Sequence, residues 1–346
     1  MKKTALIASF MMILGAAAFA ATPSYKLLKT ITVGGEGGWD YLSVDANARR
    51  LYVSHATKVV VIDMDKDEVV GEIPDTPGVH GFAIAPELGL GFASNGRENK
   101  ISIVDLKTLK TISKADTGKN PDCILYVPGH KEVYTFNGRS NDASVLEAKT
   151  GKLIATIALG GKPEFAVYDP ATDRVYDNIE DQSTVVAIDA KTHAVAATWP
   201  LAPGEEASGM ALDLKSHRLF IVAGNKLMIV MDDATGKVVT TVPTGDGTDA
   251  CVYDAGRGLA MASAGEGFVT IAKYAAPDKL EVVQTLQTAR GARTMTLDPK
   301  THKIYLSAAD YEAPVPAAAG QPAPRPKMKP GSFKILVFGA SFGTAG

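Results

Sequence analysis

Cysteine is scarce in this sequence, and positive charge is not in excess. The 346 residues include two cysteines, and 36 Lys and Arg stand against 38 Asp and Glu, for a formal net charge of −2. Two thiols cannot build a disulfide framework or a Cys-rich zinc centre. A mildly acidic chain is also a poor electrostatic match for nucleic acid or anionic lipid. We therefore expect no nucleic-acid partner.

Motifs of familiar catalytic sites are also missing. There is no His-Glu-x-x-His metal motif and no Cys-x-x-Cys-His haem attachment site. The glycine-rich run 34–38 lacks the following helix that a phosphate-binding loop requires. The sequence therefore names no catalytic residue and leaves open whether the protein is an enzyme.

Long hydrophobic runs are absent after the N-terminus. Lys2 and Lys3 precede an apolar stretch over residues 5–17, and Ala18-Phe19-Ala20 supplies small residues for cleavage after Ala20. This is the pattern of a secretory signal peptide, whose apolar stretch is too short for a stable membrane span. Residues 1–20 are therefore predicted to be removed, which leaves a periplasmic or secreted protein without a membrane span.

What the sequence does contain is a repeat of roughly forty residues. A short β-rich segment recurs seven times, and its anchor residues are spaced by 40, 42, 42, 44, 40 and 45. The anchors are Tyr52, Phe92, Tyr134, Tyr176, Phe220, Ala260 and Tyr305. Each copy has an apolar strand upstream, and most have a strand, a turn and a further strand downstream. Seven such units predict an all-β, seven-bladed β-propeller with four-stranded blades.

The two ends of the mature chain complement one another. The last copy lacks a fourth strand, and residues 25–33 form a strand without a blade of its own. We expect this N-terminal strand to close the last blade, which makes residues 21–346 a single propeller. Cys123 and Cys251 fall on innermost strands of separate blades, so we expect two buried thiols and no disulfide.

A proline-rich stretch, residues 311–331, interrupts the last copy between its second and third strands. Its six prolines predict an extended, stiffened loop insertion. Arg325, Lys327 and Lys329 make this loop locally basic. A solvated excursion is the favoured interpretation, and a lid over the adjacent face or a contact with a partner is the alternative.

The repeated segments resemble those of the YVTN-repeat propellers of the YncE-like family. The name-giving tetrapeptide has counterparts in Tyr52-Val53-Ser54-His55, Phe92-Ala93-Ser94-Asn95 and Tyr134-Thr135-Phe136-Asn137. The resemblance covers essentially the whole mature chain, and the sixth copy departs from it because Ala260 stands where an aromatic residue is expected. It implies a secreted propeller with binding or surface roles and no defined reaction.

Propeller topology places the start of every innermost strand at the mouth of the central channel, on what we call the top face. The residues that open these strands are mostly charged, namely Asp40, His80, Asp122, Glu164, Ser208, Asp249 and Arg293. Loops after the second strands bring further polar side chains to the same face. The predicted ligand-binding set is therefore Asp40, His55, His80, Asp122, Asn137, Glu164, Glu180, Asp249 and Arg293.

Three interpretations of this set compete. In the first, the polar residues only solvate strand ends at a wet channel mouth. In the second, converging carboxylates that would repel one another hold a divalent metal ion, with His55, His80, Asp122 and Glu164 as candidate ligands. In the third, the top face binds a small molecule, a peptide or a periplasmic protein without chemistry.

We take the third interpretation as the prediction, a periplasmic ligand- or partner-binding propeller with its site at the top of the central channel. The alternative is a metal-dependent hydrolase or lyase that uses the same channel-mouth residues. Gluconolactonase-like propellers place a carboxylate-and-Asn metal site in that location and open lactones, which is an analogy of architecture. No cofactor is certain from the sequence, and a divalent metal ion is the one candidate.

Overall fold

The computed structural model describes residues 24–276, 278–313 and 327–341. These residues form seven four-stranded antiparallel sheets, each a blade of a propeller. The first strands of the blades contact one another in sequence around the ring, and the last of them returns to the first. The predicted all-β, seven-bladed propeller is therefore confirmed.

The blades follow the chain in order. The strand β1, Ser24–Thr32, precedes blade 1 and belongs to blade 7. Blade 1 comprises β2 Trp39–Asp45, β3 Arg50–His55, β4 Lys58–Asp63 and β5 Glu68–Ile73. Blade 2 comprises β6 Val79–Ala85, β7 Leu90–Asn95, β8 Lys100–Asp105 and β9 Lys110–Asp116. Blade 3 comprises β10 Pro121–Val127, β11 Glu132–Asn137, β12 Asp142–Glu147 and β13 Leu153–Ala158.

Blades 4 to 7 comprise β14 Pro163–Asp169, β15 Arg174–Ile179, β16 Thr184–Asp189 and β17 Ala194–Pro200; β18 Ala207–Asp213, β19 Arg218–Ala223, β20 Leu227–Asp232 and β21 Val238–Pro243; β22 Thr248–Asp254, β23 Leu259–Ala264, β24 Phe268–Ala276 and β25 Lys279–Gln287; and β26 Met295–Leu297, β27 Ile304–Ala308 and β28 Lys334–Ser341. The described residues contain two short 3-10 helices, Pro86–Leu88 and Glu180–Gln182, and no other helix. Within those residues no helix is long and apolar enough to cross a membrane.

The ring closes through the pairing of its two ends. Strand β1 runs antiparallel to β28, from Ser24 opposite Ser341 to Thr32 opposite Lys334. Tyr25 is 2 % exposed, and its hydroxyl donates to the carbonyl of His302 over 3.0 Å. The N-terminal strand thus completes blade 7, as predicted, and gives it four strands like the other six blades.

The sixth copy is in register with the others once its anchor is corrected. Asp254 pairs with Leu259 as Asp45 pairs with Arg50, so Met261 is the equivalent of Tyr52. The assignment of Ala260 to this position was therefore wrong by one residue. Two alanines flank Met261, and a strand written Leu-Ala-Met-Ala carries no aromatic residue from which its register could be read.

The turn between the first and second strands repeats in every blade. One residue in each copy has a positive φ of between 55° and 65°: Arg49, Gly89, Lys131, Asp173, His217, Gly258 and His302. These turns lie on the face opposite the channel mouth, which we call the bottom face. Since the turn position is the same in all seven blades, residues of different blades can be compared one by one.

Two sequence predictions concern segments that lie wholly or partly outside the described residues. The expected signal peptide, residues 1–20, lies outside the described residues, as does most of the insertion at 311–331. The two ends of that insertion are described, and an isolated bridge joins Tyr311 to Met328. Cys123 and Cys251 are both buried and free, as expected.

Deleting residues 21–35 is expected to destabilise the whole ring, because blade 7 then loses its outer strand. Within β1, Tyr25→Ala should cost about 3–5 kcal/mol, the usual range for removing a buried aromatic side chain. Thermal unfolding followed by circular dichroism measures both effects. Leu27→Ala is the matched control, since Leu27 lies on the same strand and is 52 % exposed. An unchanged melting curve for the deletion would rule out this closure.

Candidate functional site

A recurrent backbone irregularity turns polar side chains toward the channel mouth. Each inner strand of blades 1 to 6 has a register shift just after its first residue, as between Trp39 and Leu42 in β2. The second residue of each strand thereby leaves the regular ladder, as β-bulges do when they re-aim a side chain. These second residues are Asp40, His80, Asp122, Glu164, Ser208 and Asp249, and Arg293 takes the equivalent place in blade 7.

Three of these residues, from consecutive blades, form the tightest group. His80 Nδ1 lies 2.6 Å from Asp40 Oδ2 and 3.5 Å from Asp122 Oδ1. Burial alone would lower the pKa of His80, but the hydrogen bond to Asp40 and the charge of Asp122 raise it to about 9. One ligand atom from each residue lies within 4.8 Å of the others, which is a spacing that could hold a metal ion. The group therefore places a charged imidazolium between two carboxyl groups.

Buried carboxyl groups continue the ring beyond this trio. Burial raises the pKa of Asp122 to about 7, and burial together with the charge of Asp122 raises that of Glu164 to about 8. Lys162 Nζ, which also binds the Glu180 carboxylate, lies 3.0 Å from Glu164 Oε2. The mouth of the channel thus holds acids that ionise in the neutral range and one lysine that partly offsets them.

The opposite side of the ring carries a separate ion pair. Arg293 Nε lies 3.2 Å from Asp249 Oδ2. Burial raises the pKa of Asp249 to about 6, although the charge of Arg293 opposes that rise. Asp249 in turn raises the pKa of Arg293, so the guanidinium stays charged. The charged residues of the channel mouth thus form an Asp40–His80–Asp122 group, a Lys162–Glu164–Glu180 group and this pair.

An aromatic side chain closes the channel below the ring. The Tyr41 hydroxyl, from blade 1, donates to the Glu164 carbonyl of blade 4 over 3.2 Å, and so crosses the channel. The rings of Tyr41 and Phe165 meet edge to face with centroids 5.3 Å apart. The channel mouth is therefore a cup with an aromatic floor. We define this cup by Asp40, Tyr41, His80, Asp122 and Glu164.

Two residues of the predicted set belong to none of these channel-mouth groups. His55 is 1 % exposed and stacks on Phe333 with ring centroids 4.2 Å apart, and burial lowers its pKa. Asn137 donates from Nδ2 to Asp142 Oδ1 over 2.7 Å and so ties its own hairpin. His55 and Asn137 are the last residues of second strands, and their side chains point between the blades. Of the proposed metal ligands, His80 and Asp122 lie in one group with Asp40, whereas His55 and Glu164 lie outside that group.

Two pockets flank the cup on the top face. One of about 450 Å³ is lined by Asp40, His80, Asn120, Arg97 and Arg139 among others. A second pocket, of about 750 Å³, is lined by Arg293 and Glu36 and by the less polar Trp39, Tyr311 and Met328.

The sequence pattern missed Tyr41 and Lys162 as site residues, although each is one or two positions from a predicted one. A polar residue at the start of an inner strand can be recognised in the sequence as a top-face residue. Whether the residue beside it reaches across the channel depends on how the closed ring places the opposite blades.

Comparisons with known proteins identify the fold and no more. No family model matches the chain, and no curated protein sequence is similar to it. A chain of the Kuenenia stuttgartiensis hydrazine synthase superposes with a TM-score of 0.69 at 15 % identity, covering 86 % of this chain and 96 % of that one. A chain of the mitotic checkpoint complex gives 0.72 at 14 % identity, covering 99 % and 98 %. Likeness at such identity shows a shared architecture alone.

Replacing Asp122 by Asn is expected to stabilise the protein at pH 8 and to change little at pH 4. The folded protein keeps the Asp122 proton up to a pKa of about 7, against a normal value of 3.8. Because the unfolded chain releases this proton at lower pH than the folded protein does, stability falls as pH rises from about 4 to about 7, and the penalty persists above that range.

Thermal melts at the two pH values measure this effect in metal-free buffer, where we expect a rise of about 2 °C or more at pH 8. Asp246→Asn is the control, because its carboxyl lies on the same face with its side chain 64 % exposed. Equal shifts for Asp122→Asn at both pH values would show that burial of the charge is not the cause.

Proposed function

We propose that the protein is an exported, periplasmic binding propeller of the YVTN-repeat type, which takes a small ligand at the top of its central channel. The observation that carries this proposal is the cup, in which Asp122 is buried and its Oδ1 makes no hydrogen bond within the described residues. Because Tyr41 closes the channel beneath it, the cup suits a compact group entering from the top face. A polypeptide passing through the ring would not fit.

The neighbouring pocket favours a ligand with an acidic group. Arg97 and Arg139 line it and form no ion pair with another described residue, and His80 carries a positive charge beside them. Guanidinium groups bind carboxylates and phosphates with two parallel hydrogen bonds. The larger pocket, with Trp39, Tyr311 and Met328, offers an apolar surface for the rest of such a molecule.

A divalent cation would join the acidic group to the cup. Asp40, His80 and Asp122 offer two carboxylates and one imidazole, a donor set that suits Zn²⁺ or Mn²⁺. A cation there would relieve the repulsion between the acids, and it would need His80 to give up its proton. The ligand's own oxygen atoms would then complete the coordination.

Citrate and inorganic phosphate are suitable probes of this site. We expect each to raise the melting temperature of tag-free protein, and to do so more strongly with Mn²⁺ or Zn²⁺ present. The Arg97→Ala, Arg139→Ala double variant should lose about 10-fold or more in affinity, since charge-assisted hydrogen bonds are each worth about 1.5–3 kcal/mol. Calorimetric titration measures it.

Arg290→Ala is the matched control for this titration, because Arg290 lies in a top-face connection but does not line the pocket. Equal binding by the double variant and the control would contradict the acidic-ligand proposal. Binding of neither probe by the wild type, together with co-purification of a neutral molecule or a peptide, would redirect it to another ligand class.

A second candidate function is metal-dependent hydrolysis or lactone opening at the same residues. The specific observation is that the pKa values of Asp122 and Glu164 are raised to about 7 and about 8. Groups that ionise near the working pH are suited to general acid–base catalysis, and a cation on Asp40 and His80 would polarise a carbonyl.

For this candidate we expect metal-dependent opening of small lactones, lost on chelation and reduced about 100-fold or more in Glu164→Gln, the usual contribution of a general acid or base. Asp246→Asn should keep full activity. Continuous pH-indicator assays across a lactone panel measure it. No turnover by the metal-loaded wild type would leave binding as the function.

A further inference from the structure

A second group of acids and a histidine lies on the bottom face, away from the cup. It joins Asp169, at the end of β14 in blade 4, to His217 and Asp233 in two turns of blade 5. One ligand atom from each lies within 4.8 Å of the others. Asp169 and Asp233 are each 1 % exposed, whereas the His217 side chain is 53 % exposed and reaches solvent. The group therefore links two blades and opens to the bottom face.

Asp233 is an exception among the seven repeats. It follows the third strand of its blade, directly after Asp232, which pairs with Arg218 as Asp63 pairs with Arg50. The equivalent residues in the other blades are uncharged, namely Met64, Leu106, Ala148, Ala190, Tyr274 and Ala340. Four of those seven positions, including that of Asp233, are no more than 1 % exposed. A carboxylate in a buried apolar position is costly unless something compensates its charge.

The compensation within the protein is incomplete. Asp233 Oδ2 makes no hydrogen bond within the described residues, and His217 Nδ1 lies 3.4 Å from it, beyond a good hydrogen-bond distance. The buried hydroxyl of Tyr176 also makes no hydrogen bond there. Tyr134, its equivalent in blade 3, points its hydroxyl at the carbonyl of Ala190, the residue equivalent to Asp233. Two buried polar atoms, Asp233 Oδ2 and the Tyr176 hydroxyl oxygen, thus lie at the blade 4–5 junction with no hydrogen-bond partner among the described residues.

Two equivalent junctions, between blades 7 and 1 and between blades 6 and 7, are closed by direct pairs. Arg49 Nη1 lies 2.8 Å from Asp298 Oδ2, and His302 Nδ1 lies 2.9 Å from Asp254. Arg49, His217 and His302 occupy the same turn position, and Asp298, Asp169 and Asp254 the same strand end. At the blade 4–5 junction no hydrogen bond joins the described His217 and Asp169, and a second carboxylate is added. A cation in place of the direct pair would account for both differences.

We propose that Asp169, His217 and Asp233 bind a divalent transition-metal ion, with Zn²⁺ as its best probe, and that this ion staples blade 4 to blade 5. Two carboxylate oxygens and one imidazole nitrogen are a zinc donor set, and water from the bottom face completes it. The Asp169 oxygens accept from Ala171 N and Thr172 Oγ1, and each keeps a lone pair for the metal. The exposed imidazole can rotate inward to shorten the ligand distances.

Zn²⁺ titration of tag-free mature protein tests this site, by calorimetry and by the melting temperature. Asp233→Ala should remove one bound equivalent and the part of the thermal stabilisation that belongs to it. This variant should fold, because Ala148 and Ala190 occupy the same position in blades 3 and 4. His217→Arg should also remove the equivalent, while the arginine forms the direct pair with Asp169 that Arg49 forms with Asp298.

Asp122→Asn separates this site from the cup. In that background one Zn²⁺ should remain, and adding Asp233→Ala should abolish it. If the cup binds no metal, the wild type will bind one Zn²⁺ and Asp233→Ala none, so the two proposals fail independently. Zn²⁺ stoichiometry and affinity in Asp233→Ala and His217→Arg equal to those of the wild type would overturn the bottom-face site, as would a wild type whose only Zn²⁺ is lost in Asp122→Asn.

Discussion

Each blade of this protein has two apolar faces, and only its neighbours in the ring can cover them. The buried clusters accordingly combine strands of adjacent blades, as where Tyr25 of β1 packs with Met261 of blade 6. A ring of this kind has no partly folded form that covers every face, so its two ends must meet. The pairing of β1 with β28 meets that requirement and makes the stability of all seven blades depend on the first nine described residues.

The same closure brings charge together at the channel mouth. Bulges at the starts of six inner strands turn one residue each toward the axis, and those residues come from blades far apart in the chain. Asp122 and Glu164 then share a poorly solvated space, which raises both pKa values into the neutral range. Tyr41 seals that space from below. The cup exists because the ring brings together charged residues that lie apart on the separate blades.

Departures from the repeat carry more functional information than the repeat itself. A residue that agrees with its six counterparts serves the packing of blades, as the apolar residues after the third strands do. Asp233 disagrees with its counterparts and faces Asp169 and His217 at a single junction. Buried polar groups that break a local rule are expected at functional sites, where another interaction compensates their cost. The top and bottom faces of the propeller therefore both carry groups that packing alone does not require.

The sequence alone determined the all-β class, the number of blades, the closure by the N-terminal strand and the face on which the polar strand starts lie. These follow from local periodicity, because strand, turn and repeat length are encoded within about forty residues. It did not determine the register of the sixth blade, since Met261 stands between two alanines.

Only the tertiary structure decided which polar residues meet. It joined Asp40 to His80 and Asp122, turned His55 against Phe333, and placed Tyr41 across the channel from Glu164. Side-chain direction at a strand end and distance across a ring depend on bulges and on the packing of all seven blades together. No single repeat contains that information, because the cup takes one or two residues from each of blades 1 to 4 and exists only when the ring is closed.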